Sequence, residues 1–189
     1  MAAKTGTTPG TYLHNTIENL FLRKVMESPL PDFVSAMKTH DAVKYIRARE
    51  SLSELANRFY DTIIETHTPV ALEFVVGDIS KSIAGTFDAL LYNNETGEYE
   101  LWDYKTDKQL RFSNNYQVIK EFNVDDCEFE KYSIQLAIYK NLIESQTPIK
   151  ISKCFIAHFD YRNSNIEVIE TKNYDDKVKE YFSLKQWQL

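Results

Sequence analysis

Apolar residues recur at helical spacing from Thr11 to about Met26 (Leu13, Ile17, Leu20, Phe21, Val25), with Pro9-Gly10 ahead and Pro29 and Pro31 behind; this predicts a first helix. A second helical pattern runs from about Phe33 to Arg49. A third runs from Ser51, an N-cap residue type with Glu54 three positions on, to Thr66. The period then changes. Val70-Ala-Leu-Glu-Phe-Val-Val76 is short, apolar and β-branched, and a turn is expected around Gly77-Asp78. Ile83–Tyr92 and Tyr99–Lys105 flank Asn93-Asn-Glu-Thr-Gly97, whose turn chemistry predicts an antiparallel hairpin. A polar stretch of some twenty residues follows, through Asn114-Asn115 to Asp126, long enough to suggest a functional loop. Glu128–Ser145 reads as a helix, Ile149–Phe159 and Ile166–Thr171 as strands, and Asp175–Gln186 as a closing amphipathic helix. Helices, three strands, a helix, two strands and a helix make an α/β chain with a mixed sheet and helices on its faces.

No repeat, low-complexity tract or linker interrupts the 189 residues, so a single domain is expected, with 1–67 mainly helical and 68–189 forming the sheet core. There is no membrane-length apolar run and no apolar signal segment after Met1, which predicts a cytoplasmic or nucleoid-associated protein without a membrane partner. Two cysteines, Cys127 and Cys154, are too few for a disulfide framework or a four-thiolate iron–sulfur cluster. A net charge of −6 weighs against a nucleic-acid partner. Against it stand Lys38, Lys44, Arg47 and Arg49, clustered in the second helical stretch, which describe either a local basic patch or a solvated helix face.

The candidate chemistry lies in the hairpin. Residues two apart on a strand share a face, so Asp103 and Lys105 of Trp102-Asp-Tyr-Lys-Thr106 point together while Tyr104 points away. If the asparagine-rich turn sets the register, Asp88 of Gly85-Thr-Phe-Asp88 sits beside them. Two hard carboxylates suit Mg2+ or Mn2+, and a lysine next to them can orient water or neutralise developing charge in phosphodiester hydrolysis. Asp-x-Lys by itself is better read as a surface ion pair. The weight comes from further elements in order around it.

Those elements are Pro9-Gly-Thr-Tyr-Leu-His14, Gly85-Thr-Phe-Asp88, Asp103-Tyr-Lys105-Thr and Gln135-Leu-Ala-Ile-Tyr139. Together they resemble the RecB-type branch of the PD-(D/E)xK nuclease superfamily, over about Pro9 to Tyr139. The resemblance implies a restriction-endonuclease-like core, with an N-terminal helical region carrying the histidine motif. It implies Asp88, Asp103 and Lys105 as catalytic residues. It also implies metal ligation by His14, Asp88, Asp103 and the Tyr104 carbonyl, with two Mg2+ or Mn2+ ions. Gln135 and Tyr139, one helical turn apart, with Tyr132 nearby, are implied to position nucleic acid or the lysine; packing of that helix on the sheet is the other reading. Glu73 either joins the metal site or faces outward. Lys108, Arg111, Phe112, Tyr116 and Lys120 mix stacking and phosphate-binding types in the long loop. His40, His67 and His158 match no element and are read as structural or surface residues.

The function expected is an exonuclease acting on single-stranded DNA or DNA ends in recombination, repair or replication. A structure- or site-specific endonuclease and a catalytically silent DNA-binding or scaffold module are the alternatives. A helicase, a single-strand-binding or recombination protein, or further copies of the chain are the expected partners.

Overall fold

The computed structural model describes residues 8–23, 38–106 and 109–184. Its elements are α1 (Pro9–Phe21), α2 (Thr39–Ile64), β1 (His67–Asp78), β2 (Ile83–Asn93), β3 (Glu98–Lys105), β4 (Val118–Ile119), β5 (Val124–Asp125), α3 (Glu128–Gln146), β6 (Ile151–Asp160), β7 (Asn165–Glu170) and α4 (Asp175–Leu184). The fold is α/β, with a mixed five-stranded sheet ordered β1-β2-β3-β6-β7. The described residues fall into two compact units. One comprises those of 1–66 with 104–108 and 158–167, the other those of 67–103, 109–157 and 168–189.

In the first unit, Thr8 caps α1 by accepting a hydrogen bond from the Thr11 amide, and Pro9 occupies the first turn, where its missing N–H matters least. Leu13, Ile17 and Phe21 of α1 are buried, as are Leu52, Leu55, Ala56 and Phe59 of α2, so each helix contributes one apolar face to a shared core. Phe59 meets the rings of Tyr104 and Phe159 edge-on at 5.6 and 5.4 Å. The two helices expected over Phe33–Arg49 and Ser51–Thr66 are one 26-residue helix. Ser51 is no cap. Its hydroxyl donates to the Tyr161 carbonyl at 2.7 Å, so a cap-type residue serves a tertiary contact in mid-helix. Met26 and residues 33–37 lie outside the described residues.

In the second unit, β1, β2 and β3 form an antiparallel meander. The hairpin has the expected turn: Asn93 Oδ1 accepts from the amides of Glu95 and Thr96, and Gly97 takes φ 73°. β1 continues through the expected turn at Gly77-Asp78 and ends at a 3-10 turn over Ile79–Lys81, where Asp78 accepts from Ser80 and Lys81. Phe87, Leu90, Leu101, Leu136, Leu142 and Ile156 build the main core, with α3 supplying one wall. Phe122, Ile134, Ala137, Tyr174, Val178 and Phe182 form a second cluster, between α3 and α4. The polar stretch before α3 folds into the β4–β5 ribbon, and Arg111 grips Glu128 through two nitrogens at 2.5 and 2.7 Å.

Candidate active site

The β2–β3 ladder pairs Asn93 with Glu98 and runs to Ala89 opposite Trp102. The next residue on each strand is an aspartate, Asp88 on one and Asp103 on the other, and both are buried. The asparagine turn therefore sets the register anticipated for the hairpin. Continued by one step, the register sets the two aspartates opposite each other where the ladder ends.

Glu73 is brought to the same place from β1. Its neighbours pair as Leu72 with Ala89 and Phe74 with Phe87, so Glu73 lies across from Asp88. It takes φ 45°, in a left-handed conformation that costs a side-chain-bearing residue about 1–2 kcal/mol. A carboxylate oxygen of Glu73 comes within 4.8 Å of one of Asp88. Of the two orientations open in the sequence, the half-buried side chain takes the one toward Asp88, and local backbone strain accompanies it.

In the first unit, His14 is half-buried on α1, and its Nε2 lies 2.9 Å from the carbonyl oxygen of Tyr104, with the two rings edge-to-face. Gly10 sits where an added Cβ would come 3.3 Å from Thr106 Oγ1, so the start of α1 lies close against the end of β3. The histidine segment and the Tyr104-Lys105-Thr106 segment thus belong to one contact. Tyr104 itself is buried on Phe59 and Phe159. Lys105 ends β3, half-buried.

Gln135 and Tyr139 form a pair of another kind. Gln135 Nε2 donates to the Tyr139 hydroxyl at 2.9 Å, and the buried Tyr139 ring occupies the space over Gly85. A Cβ on Gly85 would lie only 2.6 and 2.8 Å from two ring carbons of Tyr139. The glycine three residues before Asp88 is therefore the socket for the tyrosine of α3, which links two segments that are separate in sequence. Tyr132 is half-buried against the main core.

His67 and His158 are both buried. His67 Nε2 lies 3.0 Å from Glu100 Oε2, which also accepts from Trp102, while Asn93 donates to Oε1. His40 is exposed beside Asp41. Of the loop residues, Phe112 packs on Phe129 with ring centroids 4.9 Å apart and planes tilted by 42°, Tyr116 is 94% exposed, and Lys108 lies outside the described residues. Arg49 separates from the other cations of α2, because it is buried with its guanidinium 4.4 Å from the Tyr12 ring centroid. The left-handed Glu73 had no signal in the sequence. The fit of Gly85 to Tyr139 was signalled only by the glycine.

The PD-(D/E)XK nuclease superfamily profile matches residues 2–188, almost the whole chain. The chain belongs to the PD-(D/E)XK nuclease superfamily. Its sheet and helices agree with the restriction-endonuclease-like core of that superfamily. A search of curated proteins returns no match. Superfamily membership points to a metal-dependent nuclease whose metal is a divalent ion. The donor set suits such an ion. Glu73 and Asp88 offer hard oxygens at a separation that one cation with bonds of ~2.1 Å closes with little movement, and Asp103 is next in register on the paired strand. No described helix is long and apolar enough to cross a membrane.

Proposed function

We propose that this protein is a deoxyribonuclease of the RecB-type branch, most active as an exonuclease on single strands and DNA ends. The observation that carries the reading is a pair of buried aspartates, Asp88 and Asp103, at the end of the β2–β3 ladder, with the half-buried Glu73 turned toward Asp88. Burying several carboxylates together is unfavourable unless a cation offsets them, which is why such sets are kept for chemistry.

In this reading Asp88, Asp103 and Glu73 hold Mg2+ or Mn2+, and the resemblance to the RecB-type branch adds His14 and the Tyr104 carbonyl as ligands. The contact between His14 and that carbonyl supports pairing them. Bound divalent ions supply polarisation of the scissile phosphate and a more acidic bound water. Lys105 shares its face of β3 with Asp103, and its ammonium orients the attacking water and balances charge on the phosphate oxygens. Gln135 and Tyr139 act mainly by holding α3 against β2, so that the strand carrying Asp88 keeps its course. Gln135 and Tyr132, both half-buried, are the residues of that helix proposed to meet the strand.

The test uses end-labelled single- and double-stranded linear DNA and a closed circle, with Mg2+, Mn2+ or EDTA, beside Asp103→Ala and Lys105→Ala. Expected are metal-dependent release of short products from linear DNA, a resistant circle, and loss of at least 100-fold in rate in either variant. Circle cutting would replace exonuclease by endonuclease. No release under any metal, from a folded protein, would sink the enzyme reading and leave a DNA-binding or scaffold module.

A further inference from the structure

The basic stretch of α2 is not a uniform solvated face. His40, Val43, Lys44, Arg47 and Ala48 recur at spacings of three and four and so share one side of the helix. With Tyr161 and Arg162 of the β6–β7 turn, all within the first unit, they line a pocket of about 390 Å³. The turn is fastened in place. Ser51 donates to the Tyr161 carbonyl, Arg58 donates to the Ser164 carbonyl at 3.3 Å, and Asp160 accepts from the Arg162 backbone amide and Nε and from Asn163. The pocket is therefore preformed.

Its chemistry is specific in two respects. Three cationic side chains line it, of which Arg162 is paired with Asp160 at 3.2 Å, and no carboxylate lines it, in a chain whose net charge is −6. Lys44 and Arg47 make no ion pair among the described residues. The rest of the wall is Tyr161, Val43 and Ala48, with Val43 42% exposed and the Arg162 guanidinium 5.2 Å from the Tyr161 ring centroid. Cations beside an aromatic and aliphatic wall suit a ligand that is anionic at one end and flat and aromatic at the other. The volume lies near the lower end of small-ligand pockets, roughly 300–1,000 Å³, which admits one nucleotide unit. An acidic peptide would use the cations and leave the ring and Val43 unoccupied.

We propose that this pocket is a second strand-binding site, taking one nucleotide of a nucleic-acid chain with its phosphate on Lys44, Arg47 and Arg162 and its base against Tyr161. It rests on the nuclease reading only in making that strand the substrate, since its residues are distinct from the carboxylate set.

The experiment measures binding apart from cleavage. A fluorescein-labelled single-stranded DNA 20-mer is titrated with protein in EDTA between 50 and 200 mM salt, using wild type, Lys44→Glu/Arg47→Glu, Lys44→Gln/Arg47→Gln and Tyr161→Ala. Circular dichroism checks that each variant is folded, and the glutamine pair serves if charge reversal prevents folding. Expected are affinity losses of about tenfold for the charge variants, with a salt slope shallower by about 0.7 for each phosphate that is no longer neutralised. Tyr161→Ala should weaken binding with little change in slope, because stacking is insensitive to salt. Competition by dAMP at the same concentration as inorganic phosphate separates a nucleotide site from a simple anion site. Displacement of the 20-mer by dAMP in wild type alone supports the proposal, and equal competition by phosphate overturns the base contact. Unchanged affinity in folded variants, no binding by wild type, or preferential displacement of the 20-mer by polyglutamate would each overturn the site. If linear DNA is not cleaved under any metal while the variants still lose affinity, the nuclease reading falls and the pocket stands.

Discussion

Two residues of the β1–β2 hairpin sit where the backbone or its surroundings leave little freedom. Glu73 adopts a left-handed backbone in the middle of a strand, where a side chain raises the energy by about 1–2 kcal/mol. Glu73→Gly should therefore raise stability by about 1 kcal/mol in urea unfolding without metal, while the stabilisation gained on adding Mn2+ shrinks. A variant with unchanged metal-dependent stabilisation would remove Glu73 from the ligand set. Gly85 presents the opposite case, since any side chain there meets the Tyr139 ring. Gly85→Ala should destabilise by about 1–3 kcal/mol, and Tyr139→Ala in the same chain should recover part of it, as two residues sharing one volume are not additive. Additive melting-temperature changes would refute the socket.

At the scale of elements, the length of α2 decides an outcome that the sequence pattern misjudges. A proline at the start of a helix is tolerated, whereas in the interior it removes a hydrogen bond and clashes with the preceding turn. Because α2 runs unbroken from Thr39 to Ile64, Ser51→Pro should cost about 3 kcal/mol or more in urea unfolding. The attachment of the β4–β5 segment to α3 has its own signature. Hydrogen bonding from Arg111 holds the Glu128 carboxyl down to about 2, against 4.5 ordinarily. The unfolded chain takes up that proton first, so the contribution is complete above about pH 4.5 and is lost as pH falls toward 2. Glu128→Gln should flatten that part of the stability–pH curve. Asp78, held at about 2 against 3.8 ordinarily by hydrogen bonds from Lys81 and Ser80, adds a second drop as pH falls from about 3.8 toward 2.

For the molecule as a whole, the cysteines make a simple check on packing. Both are buried, and burial pushes the Cys154 thiol up to about 12. Thiolate is the reactive form for Cys154 and burial shuts reagent away from both, so neither cysteine should react with a thiol reagent at neutral pH until the chain unfolds. Labelling of the native protein faster than its unfolding would contradict the core described around Leu136 and Ile156. Charge is likewise distributed unevenly. The excess of acidic residues includes the buried aspartates of the candidate site, while Lys44 and Arg47 gather on α2 with no ion pair among the described residues. Net charge is thus a poor guide to the partner of this protein, because field and chemistry are local.

By itself the sequence determined what depends on spacing along the chain. The period of apolar residues marked most of the elements, Asn93 and Gly97 marked the hairpin, and that turn carried the register which sets Asp88 beside Asp103. Short-range geometry suffices there, since a strand alternates faces every residue and a tight turn leaves little choice of pairing. The tertiary structure decided what depends on contacts between segments far apart. Ser51 looks like a cap until Tyr161 is seen to take its hydrogen bond, and Arg49 looks like surface until Tyr12 is seen to cover it. Glu73 could face either way until its backbone turned left-handed across from Asp88. Gly85 and Tyr139 were two motifs until the ring was found in the space a side chain would fill. Each of these is a matter of which distant atoms occupy the neighbouring volume, and linear spacing carries no record of that.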